Sequence, residues 1–433
     1  MLVLIVLFFL PSTARGEELS EESWNAKFQA TYVAQKKSAL SAAYSGANSL
    51  SAASENGHSV TATAFLGWRP WSGTEIYYNP EMSQGEALSR LTGLGGITNG
   101  ENQKASGADP RLYHARLFLR QTFGFGEDTM AVESGPNQLA GQVSKRRLVL
   151  TAGMLAAVDI FDGNAFAHDP RNQFLNWSVM DYGAFDYAAD VRGYTRGVAL
   201  EYYFDNWVFK FGRFLQPEES NGMALDLDVF HSYGDNFEVE RAHRIADLPG
   251  KLRFLAYRNV ARMGGFRDAI AYASINGGRP EFSPVRAQRV KYGFGASFEQ
   301  SLTRNIGIFG RFSWNDGQSE EYAFTEIDRS LSGGISVKGT AWGRADDTFG
   351  FALASNDISS AHRDYLARGG LGFFLGDGRL VHYSSEDIIE AYYNIKAIKG
   401  VWVSLNYQHI ENPAYNADRG PAEVGAVRLH AEF

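Results

Sequence analysis

The sequence predicts an all-β protein, a transmembrane antiparallel β-barrel of 16 strands with an inward-folded third extracellular loop and short helical pieces in its loops. Three observations predict this fold. Segments of about ten residues alternate between apolar and polar side chains, as barrel strands do between lipid and water. The connections between these segments are alternately long and short. Residues 156–196 follow neither a helical nor a strand period, yet they are rich in aromatic, acidic, amide and arginine side chains, which suits a loop folded into a wide lumen.

The N-terminus carries the pattern of an export signal. A short apolar run is followed by Pro-Ser-Thr-Ala, which predicts a signal peptide over residues 1–16 with cleavage near Ala14 or Gly16. Residues 17–433 then form a single outer-membrane β-barrel domain, with 156–196 as its constriction loop.

Composition excludes several classes of protein. The 433 residues contain no cysteine, and export without disulfides suits a barrel that is closed by its own hydrogen bonds. Mean hydropathy is −0.27, and no later segment approaches the roughly 18 apolar residues of a membrane-spanning helix, which excludes a helical membrane protein. Nucleic-acid-binding proteins usually carry a basic surface patch, whereas the net charge of this chain is −8. We therefore expect no nucleic-acid partner.

Sixteen segments show the alternation expected of barrel strands. They are 24–34, 59–69, 72–78, 112–123, 145–155, 197–205, 206–215, 235–245, 250–259, 289–299, 304–314, 328–338, 347–355, 387–397, 400–410 and 423–433. The last segment is the clearest, because Leu429 and Ala431 alternate with Arg428 and His430. It ends on Phe433, the terminal aromatic residue that is typical of outer-membrane barrels.

The lengths of the connections predict the orientation. Bacterial barrels have short periplasmic turns and longer extracellular loops. The long connections are every second one, notably 79–111, 156–196, 261–288 and 356–387, which predicts that both termini are periplasmic. One connection breaks the rule, and we interpret 124–144 as a long periplasmic turn.

The alternation also predicts which charged side chains face the lumen. In segment 112–123 it directs Tyr113 toward lipid and Arg116 toward the lumen. A charge that faces the middle of the bilayer costs about 2–4 kcal/mol, so these side chains must face water or one another. The predicted inward set is Arg116, Arg120, Arg147, Lys210, Arg253, Lys291, Arg311, Lys396 and Arg428, with Glu201, Glu299 and Glu390 among them.

The long insert offers the groups that recognise sugars. Flat aromatic faces match the C–H surfaces of a sugar ring, and carboxylates, amides and guanidinium groups hydrogen-bond pairs of hydroxyls. The insert contains Trp177, Tyr182, Phe185 and Tyr187 beside Arg171, Asn172, Gln173, Asp181, Asp186, Asp190 and Arg192. The sequence leaves open whether these aromatic side chains bind sugar or anchor the insert to the wall.

A family resemblance supports the same interpretation. The stretch NQFLNWSVMDYGAFDYAADVRGYTRGVALEYYF, the GRF at 212–214 and the ESNG at 219–222 resemble the OprB-type carbohydrate-selective porins, and so do GTEIYYNPE (73–81), VESGPNQLAG (132–141) and DIFDGNAFAHDPR (159–171). The resemblance implies a sixteen-stranded, sugar-selective diffusion channel of the outer membrane with arginine-rich walls and a narrowed vestibule.

We predict which residues form the constriction from their place in these motifs and from the inferred direction of each side chain. We expect Tyr182 in the insert to contribute, and Tyr77 and Asn79 to shape the constriction where the third strand meets its loop. The remaining predicted residues at or near the constriction are Trp68, Glu75, Arg111, Arg116, Trp177, Asp181, Asp186 and Arg192. No catalytic residue, metal or cofactor is predicted. Residues 360–368 predict a short helix in the seventh long connection.

Three other functions are weighed against a sugar channel. A general, non-selective porin shares the same fold. A barrel enzyme acting on lipid or glycan would need a catalytic site, but no histidine lies in a G-x-S-x-G or H-E-x-x-H motif, which leaves Asp181 and Asp186 as the candidate carboxylate pair. A closed adhesin or scaffold is the third alternative. The expected partners are sugars, outer-membrane lipids and lipopolysaccharide, and the sequence leaves both a monomer and a homotrimer open.

Overall fold

The protein is described by a computed structural model that covers residues 21–104, 107–323 and 325–433. The predicted signal peptide, 1–16, lies outside the described residues. Among these, sixteen strands form a closed antiparallel barrel. They are β1 (Trp24–Lys37), β2 (Glu55–Trp71), β3 (Thr74–Glu86), β4 (Gly107–Gly124), β7 (Arg147–Leu155), β8 (Thr195–Phe204), β9 (Trp207–Leu215), β10 (Tyr233–Ile245), β11 (Leu248–Gly264), β12 (Arg286–Ser301), β13 (Ile306–Asn315), β14 (Arg329–Gly339), β15 (Arg344–Asp357), β16 (Glu386–Ile398), β17 (Val401–Glu411) and β18 (Ala422–Glu432).

The sixteen-stranded barrel confirms the predicted fold class. Each strand pairs with its neighbours in sequence, and the barrel closes where β1 pairs with β18, with Ala30 opposite Ala431. Several strands are longer than predicted, because backbone pairing extends beyond the alternating segments, as in β3, which pairs with β4 as far as Gly85. The prediction that Tyr77 and Asn79 lie where the third strand meets its loop is therefore wrong, since β3 continues to Glu86.

Side chains alternate between the two faces of the wall as predicted. In β13, Phe309, Arg311 and Ser313 are buried on the inner face, and Ile308 and Phe312 face outward. Where the strands meet the short turns, the outer face carries exposed aromatic side chains, which suit a membrane interface. They include Trp24, Trp68, Trp71, Trp207 and Trp342.

The outward position of Trp68 corrects its assignment to the constriction. Trp68 is 55% exposed and lies opposite Trp24, which is 67% exposed. A Cβ atom on the neighbouring Gly67 would instead face inward, toward Tyr77 and Leu139. Because successive side chains of a strand point to opposite faces, an inward Gly67 places Trp68 outward.

A β-bulge in β4 corrects the predicted direction of Tyr113. Asn79 pairs with Arg116 and Pro80 pairs with His114, so Ala115 is an extra residue in β4. The bulge shifts the alternation by one position. Tyr113 therefore points inward like Arg116, and its hydroxyl donates to Glu81 over 2.6 Å.

The long connections meet at one end of the barrel, the long-loop end, and the turns at the other, the short-turn end. The long connections are 38–54, 87–106, 156–194, 216–232, 265–285, 316–328, 358–385 and 412–421. They contain three helices, α1 (Trp177–Met180), α2 (Phe266–Asn276) and α3 (Ser360–Ala367), and α3 coincides with the predicted helix. One-turn 3₁₀ helices lie at Leu88–Leu91, Gly100–Gln103, Ala157–Asp159, Ser283–Val285, Thr340–Trp342 and Pro413–Tyr415. None of the described helices is both long and apolar enough to span a bilayer.

The connection between β4 and β7 is more than the long turn that the sequence predicts. It contains a hairpin of β5 (Thr129–Val132) and β6 (Gly141–Ser144), which pair only with each other. Between these strands, residues 133–140 run back into the barrel, where Leu139 is buried. This stretch, 133–140, is called the re-entrant segment below.

Candidate functional site

The connection 156–194, called the inner loop below, packs against the inner face of the barrel wall. Arg311 of β13 donates to Asp162 over 2.8 Å, and Arg428 of β18 donates to the carbonyl of Pro170 over 2.7 Å. On β10, Glu238 accepts from the backbone N–H of Asp162. Because contacts come from inward side chains on several strands, the inner loop fills much of the lumen. The predicted inward direction of Arg311 and Arg428 agrees with these contacts.

Glycines in the wall make room for aromatic side chains of the inner loop. A Cβ atom on Gly307 would lie 2.1 Å from the ring of Phe166, and one on Gly295 would lie 2.9 Å from the ring of Tyr182. Real Cβ atoms cannot approach so closely. Two of the loop's aromatic rings are therefore seated directly on the backbone of the wall.

Buried carboxylates hold the backbone of the inner loop around α1. Glu390 of β16 accepts from the N–H groups of Leu175 and Asn176, over 2.6 and 3.0 Å. Asn176 caps α1, because its side chain accepts from the N–H of Ser178. These bonds fix the position of Trp177, the first residue of the helix.

A cavity of about 390 Å³ remains on the other side of the lumen. This volume lies within the range of about 300–1,000 Å³ that small-molecule sites occupy. Strands β1, β2 and β4, the connection 87–106, the inner loop and the re-entrant segment all contribute to its wall. The lining includes Gln29, Phe65, Glu101, Lys104, Arg116, Pro136, Asn137, Asp159, His168, Arg171, Trp177, Met180, Asp181, Tyr187 and Tyr194.

Arg116 and Asp159 form a two-pronged ion pair in the cavity wall. The Nε and Nη2 atoms of Arg116 donate to the two carboxylate oxygens of Asp159, over 2.7 and 2.6 Å. The guanidinium also lies over the ring of Tyr194, 5.2 Å from its centre. Burial alone would raise the pKa of Asp159, but the Arg116 guanidinium outweighs it and holds that pKa below its ordinary value. The pair therefore stays charged at neutral pH.

A second charged network stands beside this pair. Arg171 of the inner loop donates to Glu81 of β3 over 3.0 Å and to Glu101 over 2.9 Å. Lys104 lies 3.5 Å from the carboxylate of Glu101. Burial alone would raise the pKa of Glu101, but Arg171 and Lys104 outweigh it and lower that pKa to about 2. The cavity wall thus holds fixed charges of both signs within a short distance.

Asp181 places a carboxylate in the cavity wall that can accept further hydrogen bonds. Only 2% of its surface is exposed, and neither of its carboxylate oxygens accepts a hydrogen bond within the described part of the chain. The imidazole Nδ1 of His168 lies 3.4 Å away. Burial alone would lower the pKa of His168, but Asp181 outweighs it and raises that pKa above its ordinary value. Next to these groups, the ring of Trp177 stacks on Tyr187 at 6.2 Å between centres.

The structure brings three of the predicted site residues together in the cavity wall, namely Arg116, Trp177 and Asp181. Three others lie beneath the re-entrant segment. Asn79 donates to Asn137, the hydroxyl of Tyr77 accepts from the N–H of Leu139, and Glu75 accepts from the hydroxyl of Tyr77.

The remaining predicted residues lie away from the cavity lining. Asp186 is fully buried and accepts from the N–H groups of Tyr322 and Ala323, so it joins the inner loop to the connection 316–328. Tyr182 packs on Gly295, as described above. Arg192 lies over the ring of Tyr113, at 4.3 Å from its centre. Arg111 is exposed near the long-loop end of β4.

Sequence reasoning missed several residues of the wall. Glu101 and Lys104 belong to the connection 87–106, which the alternation of strands does not address. Asp159 and Tyr194 stand at the two ends of the insert, outside its aromatic centre. The local signal for Glu101 was its place in GENQK, a short charged stretch that follows the sequence GLGGITN.

One cluster in the described residues has the composition of a metal site. Glu321, Asp328 and His362 bring potential ligand atoms within 4.8 Å of one another. However, the ammonium of Lys291 lies 3.4 Å from Glu321 Oε1, the oxygen that His362 Nδ1 approaches to 3.7 Å. Burial alone would lower the pKa of His362, but Glu321 and the neighbouring acids outweigh it and raise that pKa to about 10. Two cations are therefore already among the acids, and the cluster acts as an ion-pair anchor between α3 and the connection 316–328.

Known proteins share both sequence and fold with this chain. The family described as carbohydrate-selective porin, OprB family, matches residues 57–433. A high-pH structure of OprB from Pseudomonas putida superimposes with a TM-score of 0.70 at 15% identity, covering 95% of this chain and 94% of that chain. A loop L8 deletion mutant of OmpT from Vibrio cholerae gives a TM-score of 0.48 at 10% identity, covering 95% and 100%. No curated protein sequence matches the chain.

Proposed function

The chain belongs to the OprB family of carbohydrate-selective porins, and on that premise we propose that it is a passive diffusion channel for mono- and oligosaccharides. The family and the barrel fold indicate a channel rather than an enzyme, and they indicate the bacterial outer membrane. The observation that carries the proposal is the cavity of about 390 Å³, with its aromatic and charged lining.

The chemistry of the cavity wall suits an uncharged, hydroxyl-rich solute. The stacked rings of Trp177 and Tyr187, 1% and 2% exposed, form part of the wall. Arg116 and Asp159, which are more accessible, offer fixed donors and acceptors. The free lone pairs of Asp181 can accept hydrogen bonds from sugar hydroxyls. Since each charge already has a partner or lies near one, none binds the solute strongly. Weak binding at several places lets a solute enter and leave.

The lengths of the connections support a proposed orientation in the membrane. Short turns of bacterial barrels face the periplasm, so the short-turn end, where β1 begins and β18 ends, is proposed to be periplasmic. Outward apolar side chains would contact membrane lipid and lipopolysaccharide, and the aromatic residues at the short-turn end would lie at the periplasmic surface of the bilayer.

The decisive experiment is single-channel recording in planar bilayers, titrated with mono- and disaccharides. Sugars that enter the cavity should interrupt the ion current. Replacing Trp177 by Ala should weaken this blockade by up to about tenfold in affinity, since an aromatic contact contributes about 0.5–1.5 kcal/mol and about 1.4 kcal/mol corresponds to tenfold. Trp68→Ala is the matched control, because it removes the same side chain from the outer face.

Three outcomes would contradict the proposal. Equal swelling of liposomes by sugars and by amino acids of matched size would indicate a general porin. Bilayers without conductance steps would indicate a closed scaffold. Turnover of lipid or glycan by the purified protein, abolished by Asp181→Asn, would indicate an enzyme.

A further inference from the structure

The re-entrant segment, 133–140, enters the barrel from the end opposite to the inner loop. Its centre is a tight turn in which Gly135 and Gln138 exchange backbone hydrogen bonds of 2.9 and 3.1 Å. Pro136 and Asn137 form the tip, and Asn137 has a φ of +53°. Pro at the first and Asn at the second central position favour such a turn, because Pro presets its own φ and Asn tolerates a positive φ.

Inward side chains of the wall hold this turn in place. Asn79 donates to the side chain of Asn137 over 2.8 Å, and Arg120 donates to the carbonyl of Asn137 over 2.9 Å. On β1, Asn25 donates to the carbonyl of Gln138 over 2.8 Å. Since these bonds come from three strands, β1, β3 and β4, the position of the tip is fixed from several sides.

Apolar packing adds to these bonds. Leu139 is buried in one cluster with Tyr77 and Phe118. A Cβ atom on Gly67 would lie 2.9 Å from the ring of Tyr77 and 3.2 Å from Leu139, so this strand position leaves space for the segment. The segment is therefore built into the barrel rather than resting at its rim.

Pro136 and Asn137 reach the cavity from the short-turn side. They share its wall with Arg116, Asp159 and Trp177, which belong to β4 and the inner loop. The tip therefore forms the short-turn side of the cavity wall.

We propose that the tip of the re-entrant segment, Pro136 and Asn137, forms a second narrowing of the passage and sets the size limit on its short-turn side. This inference rests on the proposed function only in taking the cavity as the route of permeation. The inner loop would then determine which solutes are recognised, and the re-entrant segment would determine which sizes leave.

The absence of cysteine from the sequence gives a direct test, because one introduced cysteine is the only thiol. Asn137→Cys is treated with a cationic methanethiosulfonate reagent during single-channel recording. The added group at the narrowing should lower the unitary conductance about twofold. Glu127→Cys, on the exposed stretch before β5, is the matched control and should show no change.

Two further variants keep the test decisive if Asn137→Cys does not fold. Pro136→Cys places the thiol at the neighbouring tip position. The double variant Pro136→Gly, Asn137→Gly keeps a positive φ accessible and removes both side chains. It should raise the conductance and speed the swelling of disaccharide-loaded liposomes about twofold, whereas an unchanged conductance would overturn the inference.

The two proposals can fail separately. If sugars do not block the current but modification at position 137 lowers the conductance, the sugar function is wrong and the narrowing stands. If sugars block the current but modification at position 137 has no more effect than at position 127, the narrowing is wrong and the sugar function stands.

Discussion

The two sides of the lumen use the same residue types for different purposes. On the side of β9–β18, the inner loop packs closely on the wall, and the pair of Arg311 and Asp162 is almost fully buried. On the side of β1–β4, the pair of Arg116 and Asp159 borders the cavity and keeps part of its surface accessible. Both pairs join a strand arginine to an aspartate of the inner loop.

The difference shows that the surroundings of an ion pair determine its role. A buried pair is costly to break, because the remaining charge has no water to solvate it. A pair beside a cavity can be broken at lower cost, and the charge that remains acts on the solute. We propose that the packed side positions the inner loop and that the open side controls permeation. The predictions below test this division.

The largest effect is expected on the packed side. Arg311→Met would leave Asp162 buried without its guanidinium and remove the donor to the carbonyl of Val179. We expect the free energy of unfolding, measured in urea by tryptophan fluorescence, to fall by about 3–5 kcal/mol. Adding Asp162→Asn should recover part of this loss. Arg116→Met should cost clearly less, and equal losses for both arginines would contradict the division.

A moderate effect on permeation, rather than on stability, is expected on the open side. Arg116→Gln removes a positive charge from the cavity wall and leaves Asp159 without its partner. The reversal potential under a salt gradient should shift toward cation preference by about 10 mV, because rings of fixed charge set ion selectivity.

The control for Arg116→Gln is Arg213→Gln. Arg213 forms the same two-pronged pair with Asp235, over 2.7 Å for each bond, but these residues lie on the outer face of β9 and β10. An equal shift in reversal potential for both variants would show that the cavity wall does not control the current.

The smallest effect is a pH dependence that involves His168. Its raised pKa means that the imidazolium is favoured in the folded protein, so its positive charge is present at low pH and is lost as the pH rises through that pKa. Cation preference should therefore increase slightly as the pH rises above the ordinary histidine pKa of about 6.5.

His168→Gln should flatten this increase. Asp162, whose pKa burial raises to about 6, titrates close to this pH but is paired with Arg311. A pH dependence that survives in His168→Gln would assign the effect to Asp162 or to another group.

Local patterns predicted the barrel because a strand's two faces meet different solvents. The alternation in β13 and β18 gave the correct direction for Arg311 and Arg428. It gave the wrong direction for Tyr113, because the bulge at Ala115 is set by pairing with β3 and has no signature in β4 alone.

The contacts of the inner loop could not be predicted in the same way. Arg428 and Pro170 are 258 positions apart, and nothing in either neighbourhood specifies the other. Chemistry alone also cannot separate Asp181, which lines the cavity, from Asp186, which anchors the loop. Only the fold distinguishes these two acids.

The bond from Arg428 to the inner loop has a consequence for assembly. Arg428 lies on β18, the strand that completes the cylinder by pairing with β1. On the opposite side of that seam, Gln35 of β1 donates to the carbonyl of Thr98 in the connection 87–106. Both strands of the closing pair, β1 and β18, thus donate hydrogen bonds to segments inside the barrel. The pairing of β1 with β18 and the packing of these interior segments therefore stabilise each other, so that weakening either one should loosen both.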